Sequence, residues 1–132
     1  MKTGVSLPVD VIELIDEYME KSGIRSRSKI LAEAVRSFIA ERTWIREPDK
    51  KMLGVLVVVY NEKRGETVKK LLDVQHDFIN EVITTLHLHL TYEKCLEVIL
   101  VRGLVRNLVT LVSNMENIVG VELTKFIPVR LE

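Results

Sequence analysis

A chain of 132 residues, 47% hydrophobic and 29% charged, has room for one ordinary domain or two very small ones. Nineteen basic and nineteen acidic side chains cancel, so any grip on nucleic acid must come from a local patch and not from overall charge. A single cysteine excludes an internal disulfide, and with no signal pattern and no apolar run of about 18 residues we expect a cytoplasmic chain with no membrane partner.

Lys2-Thr3-Gly4-Val5-Ser6-Leu7 alternates as a short strand, with Val5 and Leu7 on one face and Lys2, Gly4 and Ser6 on the other. Pro8 suits the first turn of a helix. Val11, Ile12, Leu14, Ile15, Tyr18 and Met19 then recur at helical spacing until Gly23 stops the run. Ser26 reads as the N-cap of a second helix, whose stripe is Ile30, Leu31, Ala34, Val35, Phe38 and Ile39. Strand, helix, helix over residues 1–46 cannot bury both stripes alone. Pairing the strand with that of a second copy makes a two-stranded ribbon over four helices, narrow enough for the DNA major groove. The pattern looks like the ribbon-helix-helix fold, in which Lys2, Gly4 and Ser6 would face bases. Ser26, Arg27 and Ser28 would offer amides and a guanidinium to a phosphate. The plainer alternative for this segment is a helical hairpin with a charged surface.

The charged stretch ending at residues 47–51 breaks both periodicities and marks a linker. A second domain over 52–132 opens with a β-branched run, Met52 to Tyr60, expected as a central strand covered on both faces. A turn at 61–65 leads to a helix expected over Glu66–Ile83, through Val68, Leu71, Leu72, Phe78, Ile79 and Val82. Two strands follow, Leu86–Leu90 and Cys95–Val101, around the polar turn Thr91–Lys94, with Gly103 as the stop. A helix over Leu104–Met115 and a strand over Gly120–Val129 complete the order βαββαβ, the ferredoxin-like arrangement in an α+β chain.

All three histidines and the cysteine lie between His76 and Cys95. In Leu86-His87-Leu88-His89-Leu90 the imidazoles share one face of a strand and the leucines the other, while Cys95 and Glu97 share a face of the next. A hairpin whose leucines fix the register brings Cys95 near His89. Imidazoles with one thiolate are a borderline-soft donor set, suited to zinc, copper or nickel and not to magnesium or calcium. His76 lies in the preceding helix, and nothing in the spacing says whether it serves its own chain or a neighbour. Taken alone, it is more often a half-buried helix residue, and Cys95 could be a small core hydrophobe. No nucleophile elbow, phosphate loop, dinucleotide fingerprint or zincin helix occurs, so neither catalysis nor a small organic substrate is expected. The acid pairs Asp16/Glu17 and Asp73/Asp77 read as solvated helix faces.

A ribbon-helix-helix segment followed by βαββαβ with Gln75-His76, His87-Leu88-His89 and Cys95-Leu96-Glu97 closely resembles the nickel-responsive transcriptional regulators of the NikR family, across essentially the whole chain. The resemblance implies an ACT-type second domain and a homotetramer, a dimer of dimers, bound to double-stranded operator DNA. It implies one square-planar Ni²⁺ per subunit, held by His87, His89 and Cys95 with His76 of a neighbouring subunit, and supporting roles for Tyr60, Gln75 and Glu97. It further implies repression of nickel-uptake genes when Ni²⁺ is bound, with Lys63 and Arg64 touching DNA phosphates. Two positions depart from the family pattern. Gly4 replaces the usual serine or threonine of the ribbon, and Lys29 stands where some relatives carry an acid, so we expect Lys29 to pair with Glu33 one turn along. The competing readings are a ribbon-helix-helix regulator of another transition metal, and a metal buffer that binds DNA weakly or not at all.

Overall fold

In the computed structural model, which describes residues 1–129, the last three positions of the expected 52–132 domain lie outside the described residues. The chain divides into two units, Met1–Arg42 and the part from Thr43 on, and each is described by itself.

The first unit is built on helices α1 (Val9–Ser22) and α2 (Arg27–Arg42). The Pro8 carbonyl accepts the amides of Val11 and Ile12, opening α1, and Gly23 closes it at φ 77°, a left-handed turn that glycine adopts without strain. Ser26 caps α2, its Oγ accepting the Lys29 amide at 3.2 Å. Ile15 is buried, but Leu14, Tyr18, Val35 and Phe38 stay exposed, because two helices have too little surface to hide both apolar stripes. The expected strand over Lys2–Leu7 forms no ladder within one chain: the unit holds no other extended segment to pair with, and Val5 is exposed.

The second unit is a four-stranded antiparallel sheet of order β2-β3-β1-β4, formed by β1 (Lys51–Asn61), β2 (Val82–His89), β3 (Lys94–Leu104) and β4 (Val121–Val129). With α3 (Thr67–Asp77) and α4 (Val105–Glu116) between strands, this is the ferredoxin-like order expected. The core joins Leu56 and Val58 of β1 and Ile99 and Val101 of β3 to Leu71 of α3 and Leu108 of α4. Residues 43–46 form a 3-10 turn, and Trp44 stacks on Phe126 of β4 with ring centroids 4.4 Å apart. Phe126 also lies over Gly54, where an added Cβ would overlap its ring.

Three expectations need correction. The helix expected to reach Ile83 ends at Asp77, where the amides of Glu81 and Val82 both turn back to the Phe78 carbonyl. The β-branched run Val82-Ile83-Thr84-Thr85 then joins β2. Gly103 does not stop β3 but pairs with Met52 inside it, since the longer β1 offers a partner there. β1 is covered on one face only: Met52, Leu56, Val58 and Tyr60 are buried, whereas Leu53, Val55, Val57 and Val59 are half-buried. The register aligns those four with Arg102, Leu100, Val98 and Leu96 of β3 and with Val129, Ile127, Lys125 and Leu123 of β4. The face away from the helices is therefore a mainly apolar wall, broken by Lys125 in β4 and by Arg102 near the end of β3.

Candidate metal centre

The β2–β3 hairpin turns where the Lys94 carbonyl accepts the Leu90 amide at 2.8 Å and Thr91 Oγ1 accepts the Lys94 amide at 3.1 Å. Leu88 pairs with Leu96 and Leu86 with Val98 on the apolar wall, which sends His87 opposite Glu97 and His89 opposite Cys95 on the other face. Cys95 Sγ and His89 Nδ1 are 3.3 Å apart, the two imidazoles lie 4.9 Å apart by ring centroid, and one donor atom from each of His87, His89 and Cys95 falls within 4.8 Å of the others. The thiol is buried at the floor and both imidazoles are exposed at the rim. Burial pushes the Cys95 thiol up from its ordinary value, and the Glu62 carboxylate beside it adds to that. An ion entering here must therefore displace a proton.

Behind the donors, Tyr60 of β1 pairs directly with Cys95 and meets the His87 ring in a T-shaped contact, with centroids 6.3 Å apart. Burial, with Glu97 and Cys95 close by, pushes its phenol far above the ordinary range, so it remains a neutral donor. Glu97 is buried and accepts from Gln75 Nε2 at 3.2 Å, and Gln75 Oε1 accepts the Thr85 hydroxyl at 2.9 Å. Because a hydroxyl must donate to the amide oxygen, Thr85 turns the Gln75 amino group toward Glu97. His76 stands apart. It is exposed in the last turn of α3, and among the described residues it does not join its own chain's donor group.

Two residues that sequence reasoning did not single out complete the setting. Thr85 is one. Glu62 is the other, with Oε2 at 3.3 Å from Cys95 Sγ and 3.8 Å from His89 Nδ1. Its signal was available, since Glu62 lies two residues beyond Tyr60 and so keeps that residue's side of the chain. Lys63 and Arg64 follow in an exposed turn where Asn61 Oδ1 accepts the Lys63 amide, and the Lys63 ammonium lies 4.9 Å from the Tyr92 ring centroid.

In the first unit, Lys2, Gly4 and Ser6 are exposed, and a side chain at Gly4 would meet open space. Ser26, Arg27 and Ser28 are exposed at the start of α2, but the Arg27 guanidinium is held by both oxygens of Asp16 at 2.8 and 2.7 Å. The expected Lys29–Glu33 pair is absent among the described ion pairs. Both side chains are exposed, and an exposed pair one turn apart gains too little to fix two long side chains.

Two helices followed by a βαββαβ domain bearing two histidines and a cysteine on one sheet face form a metal-binding class of two-part protein. Residues 53–129 match the model of the NikR C terminal nickel binding domain, and residues 1–42 that of the ribbon-helix-helix proteins of the copG family. The chain belongs to the NikR family of nickel-responsive regulators, a family of transcription regulators. It is 33% identical over 127 residues to a Pyrococcus abyssi protein named "Putative nickel-responsive regulator", covering 96% of this chain and 91% of that one. A Methanocaldococcus jannaschii protein of the same name is 32% identical over 94% of this chain and 88% of its own. Two solved structures share the fold of the second unit. An uncharacterized Thermotoga maritima protein aligns at TM-score 0.56 and 16% identity over 61% of this chain and all of its own. The ACT domain of a Chlorobium tepidum GTP pyrophosphokinase aligns at 0.51 and 13% over 59% of this chain and all of its own. The second unit is thus ACT-like. Its donors fit nickel, because one thiolate with imidazoles gives the borderline-soft set that Ni²⁺ favours over hard cations. Among the described residues no helix is long and apolar enough to cross a membrane.

Proposed function

We propose that the chain is a cytoplasmic, nickel-dependent repressor of nickel-uptake genes, acting as a homotetramer made of two dimers. His87, His89 and Cys95 hold one Ni²⁺ per subunit, and His76 of the partner subunit completes a square plane. Tyr60, Gln75 and Glu97 fix the direction of these ligands, as hydrogen-bonded neighbours do in metal sites generally. The observation that carries this reading is the direct pairing of His89 with Cys95, which leaves thiol and imidazole 3.3 Å apart on a face shared with His87.

A ligand set divided between subunits makes metal binding favour one arrangement of the tetramer, and so one spacing of its DNA-binding ends, a coupling between two sites through one shared equilibrium. The apolar wall of the sheet supports assembly, because an uncovered apolar surface of that extent seeks a partner. At the DNA, the first unit, Met1–Arg42, forms the binding domain, and the unit from Thr43 on carries the metal. Lys2 and Ser6 read bases, Gly4 offers no side chain to do so, and Ser26, Ser28, Lys63 and Arg64 meet phosphates, with Arg27 joining them only where Asp16 releases its guanidinium.

The test is a gel shift on promoter DNA of a nickel-uptake gene, with and without Ni²⁺, paired with absorption spectra. Nickel-dependent retardation and thiolate-to-nickel charge-transfer bands, both lost in Cys95→Ala, are the expected result. Binding that ignores nickel, or bands that survive the substitution, would refute the proposal.

A further inference from the structure

The donor group has a neighbour that the nickel reading leaves unused. Glu62 is the first residue beyond β1, and its backbone is tied down: its amide donates to the Glu93 carbonyl at 2.8 Å, and that of Asn61 to the Gly120 carbonyl at 2.9 Å. Its side chain is only 22% exposed, and its carboxylate oxygen lies 3.3 Å from Cys95 Sγ and 3.8 Å from His89 Nδ1. The nearby ammonium groups are engaged elsewhere, Lys94 with Glu122 at 3.0 Å and Lys63 over the Tyr92 ring. Thiol and imidazole are thus what this carboxylate faces.

Those separations have a coordination meaning. With metal–sulfur bonds of about 2.3 Å and metal–nitrogen or metal–oxygen bonds of about 2.0 Å, tetrahedral angles put donor pairs roughly 3.3 to 3.5 Å apart. Of that range, about 3.5 Å belongs to a sulfur edge and about 3.3 Å to a nitrogen–oxygen edge; Cys95–His89 and Cys95–Glu62, both at 3.3 Å, lie a few tenths of an ångström inside the first, and His89–Glu62 at 3.8 Å lies about half an ångström outside the second. Carboxylate oxygen is an ordinary zinc ligand, and a thiolate with a carboxylate neutralises a divalent ion, which a thiolate with three imidazoles does not.

We propose that Glu62 is an alternative fourth ligand, by which one chain closes a tetrahedral site of His87, His89, Cys95 and Glu62 around an ion of the Zn²⁺ or Co²⁺ class without any donor from a partner. Ions that favour a square plane recruit the partner's His76 instead, and ions that favour a tetrahedron are retained in a form that links no subunits. Glu62 thereby sorts metals by geometry. The inference rests on the metal-site reading above.

The test uses the full-length protein with Co²⁺ as the optical probe, Zn²⁺ as its competitor, and Ni²⁺ in parallel. The wild type should give the intense ligand-field bands of tetrahedral cobalt. Glu62→Gln should lose them and weaken Co²⁺ and Zn²⁺ binding by about tenfold or more, while keeping the nickel charge-transfer bands, which also report that it is folded. His76→Ala should do the reverse, losing the square-planar nickel spectrum and keeping tetrahedral cobalt. Unchanged cobalt spectra and affinity in Glu62→Gln would overturn the proposal, as would loss of the cobalt site in His76→Ala, an arm that decides alone should Glu62→Gln fail to fold. If Cys95→Ala leaves cobalt and nickel binding both intact, the metal-site reading itself has failed and Glu62 falls with it.

Discussion

Arg27 carries the clearest conflict of demands on a single side chain. It stands at the start of α2, where a phosphate would sit, yet two of its three donor nitrogens, Nε and Nη2, are spent on Asp16. Asp16→Asn should free the guanidinium, strengthening DNA binding and steepening the salt dependence by about 0.9 in log–log slope for one added phosphate contact, measured by anisotropy across a salt series. The same pair sets a pH dependence. Its hydrogen bonds to Arg27 hold the Asp16 carboxyl below its usual value, so the pair adds stability above the ordinary carboxylate range, and that contribution fades as pH falls through the lowered value. Thermal midpoints of the wild type and Asp16→Asn should differ slightly at neutral pH and converge near pH ~2. Gln75 matters through what it supports: Gln75→Ala removes the donor to buried Glu97, and calorimetry should find nickel affinity lowered about 10- to 100-fold with the fold intact. The alternation around His87, His89 and Cys95 was plain in the sequence. Thr85 was not, because only its bond to Gln75 ties it to the site, and Glu62, though in step with Tyr60, is marked out only by its approach to Cys95, 33 residues away.

At the scale of elements, the strands obeyed their two-residue period closely enough that the hairpin register could be stated from leucines alone. The helix expected over 66–83 was overlong, because Phe78, Ile79 and Val82 continue a helical spacing by coincidence while β3 offers Val82 a pairing partner in Val101. Pairing with a neighbour outweighed a local pattern. Gly54 shows the opposite economy, a missing side chain used as space. Because the Phe126 ring lies where a Cβ would go, Gly54→Ala should cost about 1–3 kcal/mol in a denaturant unfolding experiment, an overpacking penalty that its better strand propensity does not recover.

For the whole molecule, two surfaces say that one chain is not the working unit. The first unit leaves both helical stripes half-covered and its extended N-terminal segment without a ladder, and the second leaves a sheet face that is apolar apart from Arg102 and Lys125. Val57 lies near the middle of that face, between Val98 on one side and Lys125 on the other. Val57→Asp should bury a charge in any face-to-face assembly and shift sedimentation from a tetramer to smaller species, with the helix-covered core unaffected.

By itself, the amino-acid sequence determined the βαββαβ order of the second unit and the chemistry of the donor set, because periodicity and side-chain softness are local properties that survive without coordinates. Only the tertiary structure decided that α3 stops short, that Arg27 is spoken for by Asp16, that the Lys29–Glu33 pair does not form, and that a glutamate from the end of β1 faces the thiol. Each of these depends on which of several possible partners reaches a group first, and that competition is settled across the sheet or between helices and not along the chain.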